Sequence, residues 1–328
     1  MPVRAFTRVF NRIGGALFLG CMLLAAPVRA QPFPARTIVL VCPFAPGGSA
    51  DIMARLVAQK LAESLGAAVV VENKPGAGSA VGSTYVARAR PDGHTLILLT
   101  GAYPAQAALT VAPQFDPLKD IAMVSMISTY PFLVNVLPDA PFKTVAELIA
   151  HARANPGRLN YSTAGVGSIH HLSSELFNAM AGTEIVHIPT KGGNAALTEL
   201  LSGRIQVLFE APTLSLPYIR SGKLRALAVT SREAYKPLPD LPLVADTLPG
   251  YDVISFIGVG ATGGTPEAVL ATLNRALVKI IEQPDTARRL AELGGDPQSS
   301  SPEELLRFVE REYRKWRNVI EVRKIERQ

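Results

Sequence analysis

The sequence predicts an α/β protein of two lobes with mainly parallel central sheets. The chain has 328 residues, which is enough for two ordinary domains. Short apolar segments of strand length alternate with segments of helical periodicity along the whole chain. Glycine-rich turns connect several strands to the helices that follow them, and ligands of such folds bind at the ends of strands.

The first strand–turn–helix unit shows this pattern clearly. Residues 37–41 form an apolar, β-branched run, and a Gly-Gly turn follows it. We expect a helix next, with Ser49 as its N-cap and Asp51 in its first turn, where a negative charge suits the helix dipole. Gly66 is expected to end this helix, and a strand over 67–71 completes one βαβ unit.

The same alternation continues to the end of the chain. Further strands are expected at 95–100, 124–126, 132–136, 159–162, 185–188, 207–209, 224–229 and within 251–259. Further helices are expected at 76–89, 145–154, 170–181, 195–201, 266–281 and 302–322.

The first 30 residues have the pattern of an export signal. Three arginines precede an apolar run at 13–26, and Val28-Arg29-Ala30 fits a small-x-small cleavage site. The apolar run is shorter than the roughly 18–20 residues that a membrane-spanning helix needs. We therefore expect a periplasmic protein whose mature chain begins at Gln31.

Composition excludes several classes of function. Without residues 1–30, 29 basic and 27 acidic residues remain, and no block of like charges occurs, so we expect no nucleic-acid partner. The mature chain would keep only Cys42, which leaves no internal disulfide. No His/Cys cluster has metal-ligand spacing, so we expect neither a metal nor a cofactor.

Four glycine-rich turns are candidate anion sites. They lie at 45–51, 76–79, 163–168 and 191–194. Glycine lets the backbone approach a ligand, and the unpaired N–H groups at a helix start attract an anion. The alternatives are a plain tight turn at 45–51, an ordinary helix start at 76–79, and a solvated Lys191 with Asn194 as a helix cap at 191–194. Glu210, just after a predicted strand, faces either the cleft or the surface.

Enzymatic interpretations of these turns are weak. Gly76-x-Gly78-x-x-x-Gly82 resembles a dinucleotide-binding fingerprint, but its spacing differs from that motif. Ser168 and His170 are too close in sequence for a nucleophile and its base, and no G-x-S-x-G elbow is present. We therefore expect a binding protein and not an enzyme.

Ordered motifs extend over the mature chain, and together they closely resemble the Bug family, the extracytoplasmic receptors of tripartite tricarboxylate transporters. These motifs are 43–48 with Asp51, 70–78, 91–93, 155–157, 167–168 with 171–172, 191–192, 222–230, 264–266 and 315–316.

The resemblance implies a two-lobe periplasmic binding protein of the Venus-flytrap, type II class. Lobe 1 would comprise 31–128 plus 254–328, and lobe 2 would comprise 129–253, with crossings near Thr129 and Val253. The implied partners are membrane permease subunits, and we expect a monomer. A sensor that presents its closed form to a membrane kinase is the alternative function.

In the family the ligand is a small carboxylate held mainly by backbone N–H groups, hydroxyls and waters. Residues carried over from the resemblance and from the turns are Phe44, Gly47, Gly48, Asp51 and Thr100 in lobe 1, and Thr163, Gly167, Ser168, Gly192, Gly193 and Glu210 in lobe 2. The chain departs from the family pattern at Thr190, where Tyr is usual, at Phe256, where Trp is common, and at Glu210, where Asp is common.

Overall fold

The computed structural model describes residues 33–322 and 325–327. Residues Arg36–Gln328 form one compact unit. The predicted signal peptide and its cleavage site lie outside the described residues. Among the residues that are described, no helix combines the length and the apolar character needed to cross a bilayer.

Eleven strands and eleven helices alternate along the described part of the chain. The strands are β1 Ile38–Cys42, β2 Val69–Asn73, β3 Thr95–Thr100, β4 Ile121–Pro131, β5 Leu133–Val136, β6 Asn160–Thr163, β7 Val186–Pro189, β8 Leu208–Glu210, β9 Arg225–Val229, β10 Ile254–Thr262 and β11 Asp296–Pro297. The helices are α1 Ser49–Leu65, α2 Ala80–Ala87, α3 Ala102–Leu109, α4 Val145–Ala154, α5 Ile169–Ala181, α6 Gly193–Leu201, α7 Pro212–Arg220, α8 Val244–Thr247, α9 Glu267–Ile281, α10 Pro284–Glu292 and α11 Pro302–Val322.

The sheets contain both parallel and antiparallel strand pairs, so the expectation of mainly parallel sheets was wrong. The largest sheet has the order β11-β4-β10-β3-β1-β2. Strand β1 is parallel to β2 and β3, but β10 is antiparallel to both β3 and β4. A second sheet, β8-β5-β9, is antiparallel, and β6 pairs with β7 in parallel. Strand β4 leads out of the large sheet and β10 leads back into it, so these neighbours run in opposite directions.

A buried threonine joins the two segments that connect the large sheet to the β8-β5-β9 sheet. Thr230 Oγ1 accepts a hydrogen bond from the Phe132 N–H at 2.8 Å and donates one to the Val253 carbonyl at 2.7 Å. The Thr230 backbone bonds to the same two residues, at 3.0 and 2.9 Å. Both connections are therefore fixed to each other at one point.

Helix α1 shows how local sequence sets an element that positions the site. Gly48, in extended conformation, is its N-cap, and Ser49 is already the first helical residue, so the prediction of Ser49 as N-cap was wrong. Gly66 ends the helix in the left-handed region, as predicted, with a φ of 63°. Helices α3, α7, α8 and α10 were not predicted from the sequence.

The strand before this helix is buried except at Val39 and carries the free thiol of Cys42. Burial raises the pKa of Cys42 to about 12, so the thiol stays protonated at neutral pH. Cys42 therefore has a packing role beside the first turn.

We expect Thr230→Val to lower the free energy of unfolding by about 1–3 kcal/mol, because the Phe132 N–H and the Val253 carbonyl lose a buried partner. Urea unfolding measures this change. The matched control is Thr272→Val, where the hydroxyl bonds to Ala268 on an accessible face of α9; we expect a change within about 0.5 kcal/mol. Equal losses in the two variants would contradict a special role for Thr230.

Candidate functional site

The starts of three helices meet at one narrow cavity of about 20 Å³. Helix α1 follows strand β1 of the large sheet. Helix α5 follows strand β6, and helix α6 follows strand β7. The cavity is lined by Phe44, Ala45, Gly48, Ser49, Ala50, Thr100, Tyr130, Ala164, Ile169, His170, Gly192 and Gly193.

Backbone amides at these helix starts lack acceptors within the described part of the chain. In α1 they are the N–H groups of Gly48, Ser49 and Ala50, since the first capping bond is donated by Ile52. In α6 the Gly193 N–H is likewise unpaired. Unpaired N–H groups at the positive end of a helix dipole form an anion-binding arrangement. The cavity is therefore suited to a negatively charged group.

The first turn is braced by Asp51, which lies behind the cavity lining. Its carboxylate accepts hydrogen bonds from the Gly47 N–H at 2.9 Å, from Arg55 Nε at 2.9 Å and from Asn73 Nδ2 at 2.8 Å. Asn73 also donates to the Phe44 carbonyl. Burial raises the pKa of Asp51, but these hydrogen bonds outweigh it and hold the pKa below its usual 3.8. Asp51 is thus an ionised brace that fixes the turn.

The turn before α5 is held by neutral groups. Ser168 caps this helix, because its Oγ accepts from the His171 N–H and donates to the Gly165 carbonyl. Thr163 Oγ1 lies 2.7 Å from His187 Nε2. These bonds place Ile169 and His170 at the cavity.

Three rings stack behind this turn. His187 stacks on Tyr161 at 4.9 Å between centroids and on His171 at 4.3 Å. Burial, and secondarily the neighbouring His171, lowers the pKa of His187 to about 4, and burial also lowers the pKa of His171. Both rings are therefore neutral at neutral pH, which allows them to stack without repulsion.

Glu210 lies behind the lining and is fully buried. Its Oε1 accepts from the Ala211 N–H at 2.7 Å and lies 3.3 Å from His170 Nε2 and 3.5 Å from Ser49 Oγ. Its Oε2 has no partner among the described residues. A Cβ added at Gly193 would lie only 2.5 Å from Oε2, so any side chain there would force the Glu210 carboxylate to move.

The segments on opposite sides of the cavity are in contact. A Cβ added at Gly78 would lie 2.9 Å from the backbone of Gly167, and one added at Gly192 would lie 3.4 Å from Ala45 Cβ. The narrow cavity is thus enclosed by direct contacts between the α1–α2 side and the α5–α6 side.

A larger cavity of about 400 Å³ lies beside the connections between the sheets and shares Tyr130 with the narrow one. Four of its charged lining residues are paired with each other: Arg232 with Asp252 at 3.1 Å, and Lys236 with Asp296 at 3.2 Å. It lacks converging helix starts, so we assign the site to the smaller cavity despite the difference in size. No group of three or more His, Cys, Asp or Glu side chains in the described ranges is placed to hold a metal ion.

The predicted site residues fall into two groups. Those that line the cavity are Phe44, Gly48, Thr100, Gly192 and Gly193. Those that the structure places outside the lining are Gly47, Asp51, Thr163, Gly167, Ser168 and Glu210.

Sequence reasoning missed further lining residues. They are Ala45, Ser49, Ala50, Tyr130, Ala164, Ile169 and His170. Ala45, Ser49, Ala50 and Ala164 lie within the predicted turns at 45–51 and 163–168, although they were not singled out as contacts. Ile169 and His170 directly follow the second of these turns, so extending it into the first helical residues would have found them. Tyr130 carries no such signal, since it is the penultimate residue of the long strand β4 and no glycine turn follows it.

Comparison with known proteins shows extensive similarity. Residues 53–325 match the profile described as the tripartite tricarboxylate transporter family receptor. The chain is 34% identical to the protein BugT of Bordetella pertussis (strain Tohama I) over 317 residues, which cover 96% of this chain and 97% of BugT.

Two solved structures have the same fold. R. palustris Rpa4515 with adipate is 35% identical, with a TM-score of 0.85, over 89% of this chain and 98% of that chain. MatC (Rpa3494) from Rhodopseudomonas palustris with bound malate is 33% identical, with a TM-score of 0.84, over 88% of this chain and 100% of that chain. These similarities confirm the predicted two-lobe α/β fold and the resemblance to the Bug family.

We expect the free energy of unfolding to fall as the pH decreases from about 6.5 to about 4. The unfolded chain binds a proton at His187 in this interval and the folded chain does not, because the folded pKa is about 4. Below about 4 this contribution levels off. Urea unfolding across the interval should show a shallower decline for His187→Gln, which keeps a hydrogen-bonding group near Thr163. Parallel pH curves for the two proteins would contradict the assignment.

Proposed function

This chain belongs to the tripartite tricarboxylate transporter receptor family, and from that premise we propose that it captures a small carboxylate in its cavity and presents it to a membrane transporter. One observation carries the proposal: unpaired amides at the starts of α1 and α6, on opposite sides of the cavity, point to a shared anion.

The chemistry of the cavity supports a carboxylate over other ligands. Carboxylate oxygens accept several hydrogen bonds each, and charge-assisted bonds from backbone N–H groups are stronger than neutral ones. The lining adds the hydroxyls of Ser49 and Thr100 and the aromatic surfaces of Phe44 and Tyr130. The adipate and malate bound to the two similar proteins are small carboxylates.

We assign direct contact to the predicted residues in the lining, Phe44, Gly48, Thr100, Gly192 and Gly193. The other predicted residues act through these. Asp51 and Gly47 fix the turn before α1. Thr163, Gly167 and Ser168 fix the turn before α5. Glu210 contacts the lining residue His170 from outside the cavity.

The mechanism is closure of two lobes around the ligand, without turnover. In this proposal lobe 1 comprises 31–128 and 254–328, lobe 2 comprises 129–253, and the connections joined by Thr230 are the hinge. A ligand that contacts both lobes favours the closed state through its differential affinity. The exported, monomeric receptor then docks on the permease in this closed form.

We expect a carboxylate that binds to raise the melting temperature. At a ligand concentration of 100 times Kd the stabilisation is about 2.7 kcal/mol, which corresponds to about 4 °C for a chain of this length. A thermal-shift screen of small mono- and dicarboxylates measures it. An absence of any shift across the panel would contradict the proposal.

Gly48→Val should abolish that shift and leave the melting temperature of the free protein nearly unchanged. Gly48 has an ordinary φ of −78°, and the nearest atom to an added Cβ is the Ala45 carbonyl oxygen at 3.7 Å. The valine side chain would therefore fit the fold but occupy the cavity. If the ligand raises the melting temperature of the variant as much as that of the wild type, the turn before α1 is not part of the binding site.

We expect Gly78→Ala to weaken ligand binding by about tenfold or more, because its Cβ would collide with the Gly167 backbone in the closed state. Gly66→Ala is a matched control: its φ of 63° is close to the 62° of Gly78, and an added Cβ there meets nothing within 4 Å. Calorimetry with the best ligand of the screen measures both. Similar losses of affinity would show that backbone strain, and not closure, is responsible.

A further inference from the structure

A buried acid lies beside the helix starts to which the proposed function assigns the ligand carboxylate. Glu210 is 0% exposed, and a Cβ added at Gly193 would lie 2.5 Å from its Oε2. Its Oε1 lies 3.5 Å from the hydroxyl of Ser49. Ser49 and Gly193 are the first residues of α1 and α6. A carboxylate bound at these helix starts therefore adjoins a second carboxyl group that has no access to solvent.

The two oxygens of Glu210 have different surroundings. Oε1 accepts a hydrogen bond from the Ala211 N–H at 2.7 Å, and Ser49 Oγ and His170 Nε2 lie nearby. Oε2 is buried and has no hydrogen-bond partner among the described residues. Buried polar atoms in native proteins nearly always have a partner, and a buried charge without one is very unfavourable. A proton on Oε2 removes this penalty, because the neutral carboxyl group then has an O–H donor.

The titratable groups that face Glu210 do not supply a compensating positive charge. Tyr130, from β4, is neutral because burial raises its pKa to about 12. His170, from α5, has its Nε2 3.3 Å from Glu210, and its Nδ1 is buried without a partner in the described part of the chain. An imidazolium would bury an N–H at Nδ1 with no acceptor, which favours the neutral ring. Here α1 presents the Ser49 hydroxyl and α6 presents the backbone of Gly193, so neither adds a charge.

Two carboxylates that adjoin each other in a site shielded from water do not both stay ionised, and such a pair holds one proton. We propose that binding of an ionised carboxylate takes up one proton from solvent and that Glu210 holds this proton on Oε2. The ligand keeps its negative charge for the helix-start amides, and the Oε2–H group can donate to a ligand oxygen. The inference rests on the proposed function for the carboxylate itself and adds a proton to the binding reaction.

Calorimetry on the wild-type protein measures the proton uptake directly. The probes are propionate and succinate, which are ionised above about pH 7. The observed enthalpies in HEPES and in Tris, two buffers of different ionisation enthalpy, give the number of protons taken up per ligand. We expect about one proton, and therefore a loss of affinity of about tenfold for each pH unit between about 7 and 9. Binding without proton uptake, with a Kd independent of pH, would overturn the inference.

Three variants locate the proton. In Glu210→Gln the amide imitates the neutral acid, since it has one oxygen acceptor and N–H donors, so uptake should fall to about zero and Kd should no longer depend on pH. His170→Asn cannot take up a proton at neutral pH, and an uptake of about one proton should persist whatever its affinity. Loss of uptake in His170→Asn would mean that the imidazole holds the proton, contrary to the inference. Glu147→Gln, an exposed acid in the first turn of α4, is the matched control and should retain the wild-type proton number.

The wild-type proton number decides the inference even if a variant fails to fold. If a carboxylate binds without proton uptake, the inference fails and the proposed function stands. If neither the two probes nor any other carboxylate of the thermal-shift panel binds, the proposed function fails and the inference fails with it. A Glu210→Gln protein that still takes up a proton would show that Glu210 has only a structural role, which also contradicts the inference.

Discussion

The architecture depends on backbone amides that the chain itself leaves without acceptors. Every helix begins with N–H groups that cannot bond within the helix. At most helix starts side chains or water satisfy them, but here those of α1 and α6 face one cavity from two sides. The fold must therefore hold two turns in register across a gap, and much of the polar structure nearby serves that requirement.

The two sides meet this requirement by different means. The turn before α1 is fixed by an ionised cluster of Asp51, Arg55 and Asn73. The turn before α5 is fixed by neutral hydroxyl bonds and by the stacked rings of His171 and His187. Both braces respond to acid, since burial lowers the pKa of His187 to about 4 and the hydrogen bonds hold the pKa of Asp51 below its usual 3.8.

Local features of the fold could be predicted from the sequence, whereas long-range ones could not. Helix α4 has the predicted bounds, because its amphipathic period and its ends are encoded locally. Helix α3 was missed because it is buried on nearly all sides and contains Pro104, which leaves no polar face to detect. The antiparallel pairing of β4 and β10 depends on how the chain passes between sheets, and no local pattern encodes that.

The same division applies to the site. Glycines at helix starts are visible in the sequence, and Gly48, Gly192 and Gly193 do line the cavity. The direction in which an acidic side chain points cannot be read from the sequence. The Asp51 carboxylate points away from the cavity because Arg55 and Asn73 donate hydrogen bonds to it there. Likewise, the adjacent histidines 170 and 171 look alike in sequence, and only the packing against Glu210 distinguishes them.

The size of the cavity has a kinetic consequence. A volume of about 20 Å³ holds one water molecule and no organic acid. Entry and exit of a ligand therefore require the sides to separate at the Gly78–Gly167 contact. A bound acid would therefore hold the two sides further apart than they are in this closed form, and under the proposed function its release would be limited by how fast this contact opens.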